Sequence, residues 1–371
     1  EPARRLVVVG NDERWLGAAC ARREEARDRG AWFEGMEGAG GGPFALAKDF
    51  DDLAGTAGTG HRGEIAIVAA DVNGVGERLR KLGTEVAYRR FSEGLQRAVK
   101  GACDEALREV IGTARKLPVE LLYAGGDDLL VACQGRLALP FAKRVVFRFV
   151  QLAKAAPKPS TSNDHWTGGD GLGMSAVAVC FGAGFPFRVA HDIASRLLSD
   201  AKREARANGW EEGAVDFVRV TEAYGDPDAI LADRFLVSES GKVSLHLTAR
   251  PFRAAPEGER SLGGFETACK KLSQGFPRSK LFDLCERCSA SVYVRPVERV
   301  DERKVEHAIK QLNGFLDYWC DRLRRDPVAE GMWKDACQHL VVPSETVLWS
   351  SEGVCRTPAS DFAEGIDLWG L

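Results

Sequence analysis

The stretch Leu121-Leu122-Tyr123-Ala124-Gly125-Gly126-Asp127-Asp128-Leu129-Leu130-Val131 decides how this chain is read. An apolar run, two glycines, two carboxylates and a second apolar run predict a tight β-hairpin with acids at its tip. A Gly-Gly pair lets the backbone turn sharply and removes Cβ atoms where a substrate must approach. Two adjacent acids repel and raise each other's pKa, and a divalent cation relieves that repulsion. Gly and Asp form ordinary turns too; what lifts this pair above an ordinary turn is its flanking strands and a third acid upstream. Ile65 to Ala70 reads as a strand with both faces buried, because its apolar character is unbroken, and it ends on Asp71. Three carboxylates that converge make a site for hard divalent cations, and such cations bring triphosphates. The expectation is a nucleotide-polymerising or nucleotide-cyclising enzyme.

Working outward, residues 63 to 220 run strand, helix, hairpin, helix, strand, helix, strand. Phe91, Leu95, Ala98, Ala102 and Ala106 recur at helical spacing, as do Phe141, Val145, Phe149 and Leu152. Strands are expected at Val119 to Ala124, Leu129 to Cys133, Ser175 to Cys180 and Val215 to Val220, with a helix from Phe187 to Ala207. The β-α-β-β-α-β order is the split ferredoxin-like arrangement, which many proteins of unrelated function share. The fold class expected is therefore α+β, a ferredoxin-like palm followed by a mainly helical C-terminal domain. The divisions are 1–60, a strand and a charged helical stretch near Arg14 to Arg29, then a glycine-rich loop at Gly38 to Gly42; 61–225, the palm; and 226–371, a connector and helices. In the last part Val305, Ile309, Leu312, Phe315, Trp319 and Leu323 form an amphipathic stripe that reads as helix-bundle core. Residues 343 to 371 show no strong periodicity.

Composition narrows the function classes. The 371 residues carry a net charge of −3, so no global basic field points to nucleic acid, although a local groove would escape this test. No apolar stretch approaches the roughly 20 residues that span a bilayer, and no signal peptide is visible, so the expectation is a cytoplasmic protein without a membrane partner. The 10 cysteines are scattered rather than arranged as a disulfide framework, which suits a reducing compartment. Cys285 and Cys288 form a C-x-x-C pair, but a zinc site needs about four ligands and no second pair accompanies them. Helix-face packing is their expected role.

Four further features matter. Asp71-Val72-Asn73-Gly74-Val75-Gly76 is a strand-to-helix turn whose backbone N–H groups could cradle phosphates, though a plain loop would read the same. Lys202, late in a helix, could reach a triphosphate or be a solvated lysine favoured near a helix C-terminus. Gly168-Gly169-Asp170-Gly171 repeats the hairpin string without flanking strands and reads as loop. His191-Asp192 lacks the further His and Asp ligands that a phosphohydrolase centre needs, so no nuclease centre is expected.

Taken together, Asp71 to Gly76, the Gly125-Gly126-Asp127-Asp128 hairpin, Met174-Ser175-Ala176 opening a strand, Leu198 to Lys202, Arg250-Pro251-Phe252 and Arg278 to Leu281 resemble the polymerase/cyclase large subunit of type III CRISPR effector complexes and its stand-alone minimal relatives. Diguanylate cyclases share the palm but carry a different ending, where this chain has Asp128-Leu129. The resemblance implies conversion of ATP to cyclic oligoadenylates. It places metal ligation at Asp71, Val72, Asp127 and Asp128, with Asp71, Asp127 and Asp128 catalytic. It places nucleotide contacts at Asn73, Gly74, Val75, Gly76, Gly125 and Gly126, the triphosphate lysine at Lys202, and Ser175 near the base. The family's subunit has two palms and often an N-terminal nuclease; this chain shows one palm and no nuclease signature.

The cofactors implied are two Mg²⁺ or Mn²⁺ ions roughly 4 Å apart, one activating the attacking hydroxyl and one holding pyrophosphate. One palm provides one triphosphate site, so a second palm is expected as a partner, in a homodimer or another chain, alongside ATP, guide RNA and small Cas subunits. Two other readings stay open: a cyclase making a cyclic dinucleotide outside CRISPR, and a non-catalytic ATP- or RNA-binding scaffold.

Overall fold

The computed structural model describes residues 4–9, 12–17, 47, 50–54, 63–111, 118–155, 172–221, 227, 230, 235–290, 300–342, 349–351 and 354–369. Its centre is a six-stranded sheet in the order β10-β7-β6-β3-β5-β4. The strands are β3 (Glu64–Val72), β4 (Val119–Gly125), β5 (Asp128–Gln134), β6 (Met174–Gly182), β7 (Ala214–Val220) and β10 (Phe252–Arg253). Strand β3 lies between β5 and β6, antiparallel to both, and β4 pairs antiparallel with β5 at the edge. These four strands with their two crossover helices are the ferredoxin-like palm, and β7 extends it in parallel beside β6.

Alternation along β3 assigns its faces. Ala66, Val68, Ala70 and Val72 pack with Phe91 and Leu95 of α3 (Glu85–Ile111) and with Phe141, Val145 and Phe149 of α4 (Gly135–Ala155). Ile65 and Ile67 pack on the other face with Ile193, Leu197 and Ala201 of α5 (Phe187–Ala207) and with Leu53 of the short α1 (Phe50–Ala54). Both faces are covered, as the unbroken apolar run requires. The helical stretch after β3 is two helices rather than one. A short α2 (Val75–Lys81) stops before Gly83, and the Thr84 hydroxyl then caps α3 by accepting from the Ala87 N–H.

Beyond the palm lie α6 (Leu262–Ser273), α7 (Arg278–Ala290), α8 (Glu302–Leu323), α9 (Pro327–Leu340) and α10 (Ala359–Leu368). In α8, Val305, Leu312, Trp319 and Leu323 are buried as the stripe predicts, while Ile309 and Phe315 are partly covered. One apolar core runs without a break from the palm into these helices, through Phe217, Phe252, Phe265 and Phe362, whose rings stack in sequence.

One expectation is corrected, and two short strands are added that no pattern announces. Residues 12–17 form a strand, β2 (Asp12–Gly17), antiparallel to β1 (Arg4–Val9), where a charged helix was expected from Arg14. A Gly-Asn pair between two short runs is itself a hairpin signal. In the tail that shows no strong periodicity, β11 (Trp349–Ser351) and β12 (Val354–Arg356) join β8 (Phe235–Val237) and β9 (Ser244–His246) in a second sheet, and α10 follows. Strands of three residues are too short to show a period. The rest of the expected Arg14 to Arg29 helix, the Gly38 to Gly42 loop and the Gly168 to Gly171 string lie outside the described residues.

Candidate active site

The hairpin between β4 and β5 closes on the pair Gly125↔Asp128, leaving Gly126 and Asp127 as its two turn residues. Gly126 has φ 64 and Asp127 does not share the positive region, the pattern of a type II′ turn with glycine first. Any other residue at Gly126 would be strained, so the glycine there is a backbone requirement.

Register carries the acids across the sheet. Asp71 pairs with Asp128 on β5 and with Ser175 on β6, so the three lie in one row. Their strand neighbours Ile67, Ala132 and Val177 point toward α5, and the row shares that face. From α5, the Lys202 ammonium forms an ion pair with the Asp71 carboxylate. Partial desolvation, contact with the Asp71 carboxyl and the charges of Asp71 and Asp127 push the Asp128 carboxyl up to about 6, while the Lys202 ammonium works against the rise.

The structure therefore brings Asp71, Asp128 and Lys202 together. Asp127 stands beside them in the turn, close enough for its charge to act on Asp128, and its carbonyl accepts the Val72 N–H at 3.2 Å. Among the described residues no group of three or more His, Cys, Asp or Glu is gathered as a metal cage. The donor set nonetheless suits a hard cation: two carboxylates in contact, a third nearby, and repulsion that one lysine does not fully relieve. The Val72 side chain is buried, which leaves only its main chain for any ligand.

After Asp71 the chain turns through Asn73 and Gly74 into α2. Gly74 takes a left-handed conformation, φ 77, and Val75 anchors the helix start in the core. Gly76 is exposed. Ser175 is fully buried, and its hydroxyl donates to Asn73 Oδ1 at 3.1 Å and accepts the Ala214 N–H at 3.2 Å. Sequence reasoning missed Gly213, which packs against this pair; a glycine just before a buried strand is its only signal. It also missed Glu204, two residues along α5 from Lys202, whose carboxylate binds Arg260 and Arg356 at 3.0 and 2.8 Å. Those partners lie far along the chain, and nothing local announces them. No described helix is long and apolar enough to cross a membrane.

None of the curated proteins matches this chain. Among solved structures, similarity extends to Csm1 of T. onnurineus, at 17% identity over 90% of this chain and 40% of that one, with a TM-score of 0.45. It extends also to a Csm1-Csm4 cassette in complex with one ATP, at 16% identity over 90% of this chain and 39% of that one, TM-score 0.41. The chain thus spans about 40% of the length of the structures it resembles. The family model that matches describes the second palm domain of Cas10/Cmr2, and it aligns with residues 64–209. That segment begins at β3 and ends just after α5, so the stretch that matches the second palm domain of Cas10/Cmr2 holds the hairpin, the acid row and Lys202.

Proposed function

We propose that this chain is a nucleotidyltransferase that joins ATP units through phosphodiester bonds, giving cyclic oligoadenylates in a type III CRISPR-like defence system. One observation carries the reading: Asp71 and Asp128 meet across adjacent strands beside a glycine turn, with Lys202 poised over Asp71. The family match of residues 64–209 supports it.

The residues divide the work. Asp71 and Asp128, with Asp127 beside them, would hold Mg²⁺ or Mn²⁺, which when bound lowers the pKa of an attacking hydroxyl and neutralises pyrophosphate. Lys202 can exchange its carboxylate partner for a triphosphate oxygen, as a flexible point charge does. The turn from Asn73 to Gly76 presents main chain free of bulk, Gly74 and Gly76 lacking Cβ atoms. Gly126 keeps the opposite wall low, while the Tyr123 phenol lies against Gly125. A 3′- or 2′-hydroxyl of one nucleotide must face the α-phosphate of another. The acceptor is held by a second palm, in a homodimer or a partner chain.

Incubation of the purified chain with Mg²⁺ or Mn²⁺ and each NTP in turn, followed by mass spectrometry, tests this. Cyclic adenylate products with release of pyrophosphate are expected. A chain that binds no ATP and forms no product with or without a partner palm would sink the assignment.

A further inference from the structure

The turn that follows Asp71 is tied to the far side of the sheet by one buried hydroxyl. Ser175 Oγ donates to Asn73 Oδ1 at 3.1 Å and accepts from the Ala214 N–H at 3.2 Å, so it joins the ends of β3, β6 and β7. Main-chain bonds close the same corner. Asn73 N–H donates to the Gly173 carbonyl at 2.8 Å, Met174 N–H to Glu212 at 3.1 Å, and Ala254 N–H to Gly213 at 3.0 Å. Gly213 sits at φ 102, and a Cβ there would run into the Met174 carbonyl and come within 2.9 Å of Asn73 Nδ2. The Asn73 amide is thus held from two sides, by a hydroxyl on its oxygen and a bare glycine against its nitrogen.

We infer that Ser175 and Asn73 are positioning residues, a strut that holds the Gly74–Gly76 turn in fixed relation to the Asp71 carboxylate. This rests on the nucleotide reading above and changes the roles within it. Neither side chain serves as a direct contact to the nucleotide. Ser175 is fully buried, with donor and acceptor functions both engaged inside the protein. Asn73 acts on the turn through its fixed backbone. A turn ordered before ATP arrives removes an ordering cost from binding, so loss of the strut appears in the KM for ATP more than in kcat.

The variants are Ser175→Ala, Asn73→Ala, the double variant, and Ser175→Thr, which keeps the hydroxyl. Each is made in the full chain and checked for fold by circular dichroism. Amide hydrogen exchange gives a readout independent of turnover. Removing one hydrogen bond of ordinary strength predicts about tenfold faster exchange at the Asn73 and Arg78 amides, while amides in the middle of β3 keep their protection. The KM for ATP should rise about tenfold in either alanine variant. The double variant should match Ser175→Ala, because both lose the Ser175–Asn73 bond and leave the Ala214 N–H without its acceptor, and Ser175→Thr should restore the parent values. Should Ser175→Ala fail to fold, Asn73→Ala, at a half-buried position, carries the same comparison.

Exchange that quickens equally along β3 and β6 would reduce the pair to sheet packing and overturn the inference. So would additive effects in the double variant, or single variants that match the parent. A parent chain that turns over no ATP removes the nucleotide reading instead, and the exchange contrast still decides whether the strut orders the turn.

Discussion

Asp71 and Asp128 are direct partners across β3 and β5, and their carboxyl groups are in hydrogen-bond contact on the face covered by α5. Like charges facing each other across a strand pair destabilise a sheet. Among the described residues, the Lys202 ammonium, bound to Asp71, offsets them in part. Such an arrangement is poor structural engineering and good ligand chemistry, because the strain disappears when a cation binds.

The first prediction follows from that repulsion. The Asp128 carboxyl is raised from 3.8 to about 6, so between those values the folded chain binds more protons than the unfolded one. Stability contributed by this group then falls as pH rises through the window and stays low above about 6. Asp128→Asn removes the charge. Its melting temperature should exceed the parent's at pH 7 to 8, and the advantage should vanish near pH 4. Scanning calorimetry without divalent ions across this range is the check, and a constant difference at every pH would contradict it.

Asp127→Asn combined with Asp128→Asn should abolish product formation while leaving the palm folded. The expected loss is at least ~10³-fold, the scale on which removal of groups that stabilise transition-state charge is felt. The readout is product per enzyme at saturating ATP, beside a circular dichroism spectrum. Synthesis that survives in the double variant would dismiss the carboxylates as the metal-holding groups.

How far the residues alone announced this geometry depends on range. The hairpin was legible because its signal is local, two apolar runs around Gly125-Gly126-Asp127-Asp128, and the burial of β3 was legible in six consecutive apolar residues. The palm order followed from alternating helix and strand periods. The Asp71–Lys202 ion pair was not, since it depends on which face of α5 lies over the sheet, and Lys202 read equally well as a solvated residue. The Ser175–Asn73 bond requires the strand register, which no local pattern states. The β11–β12 ribbon and the β2 strand were lost because short strands of mixed polarity imitate loop and charged helix.

Lys202→Ala separates two roles of one ammonium. Charge-assisted hydrogen bonds contribute about 1.5–3 kcal/mol, which corresponds to roughly ten- to a hundredfold in binding. The KM for ATP should rise by that factor, and the KM of Lys202→Arg by less, since charge is retained without a matching geometry. Initial rates against ATP concentration measure both. An unchanged KM in Lys202→Ala would confine the lysine to neutralising Asp71.

The last prediction concerns what holds the C-terminal helix against the palm. Arg250 and Asp361 are almost wholly buried and meet at 2.8 Å, and Asp361 also accepts from the Thr248 hydroxyl and the Ala249 N–H, each at 2.7 Å. The Arg250 guanidinium stacks 4.4 Å over the Phe217 ring of β7, so the network joins α10 directly to the palm sheet. Asp361→Ala leaves three buried donors facing one missing acceptor. Removing one partner of a buried pair costs about 3–5 kcal/mol, because the remaining charge stays desolvated; Glu364, 3.1 Å from Arg250, places the expected loss at the lower end. Equilibrium denaturation should therefore show a loss of about 3 kcal/mol in Asp361→Ala. A single variant as stable as the parent would mean that α10 is held by Phe362 and Ile366 in the apolar core, with the ion pair adding nothing.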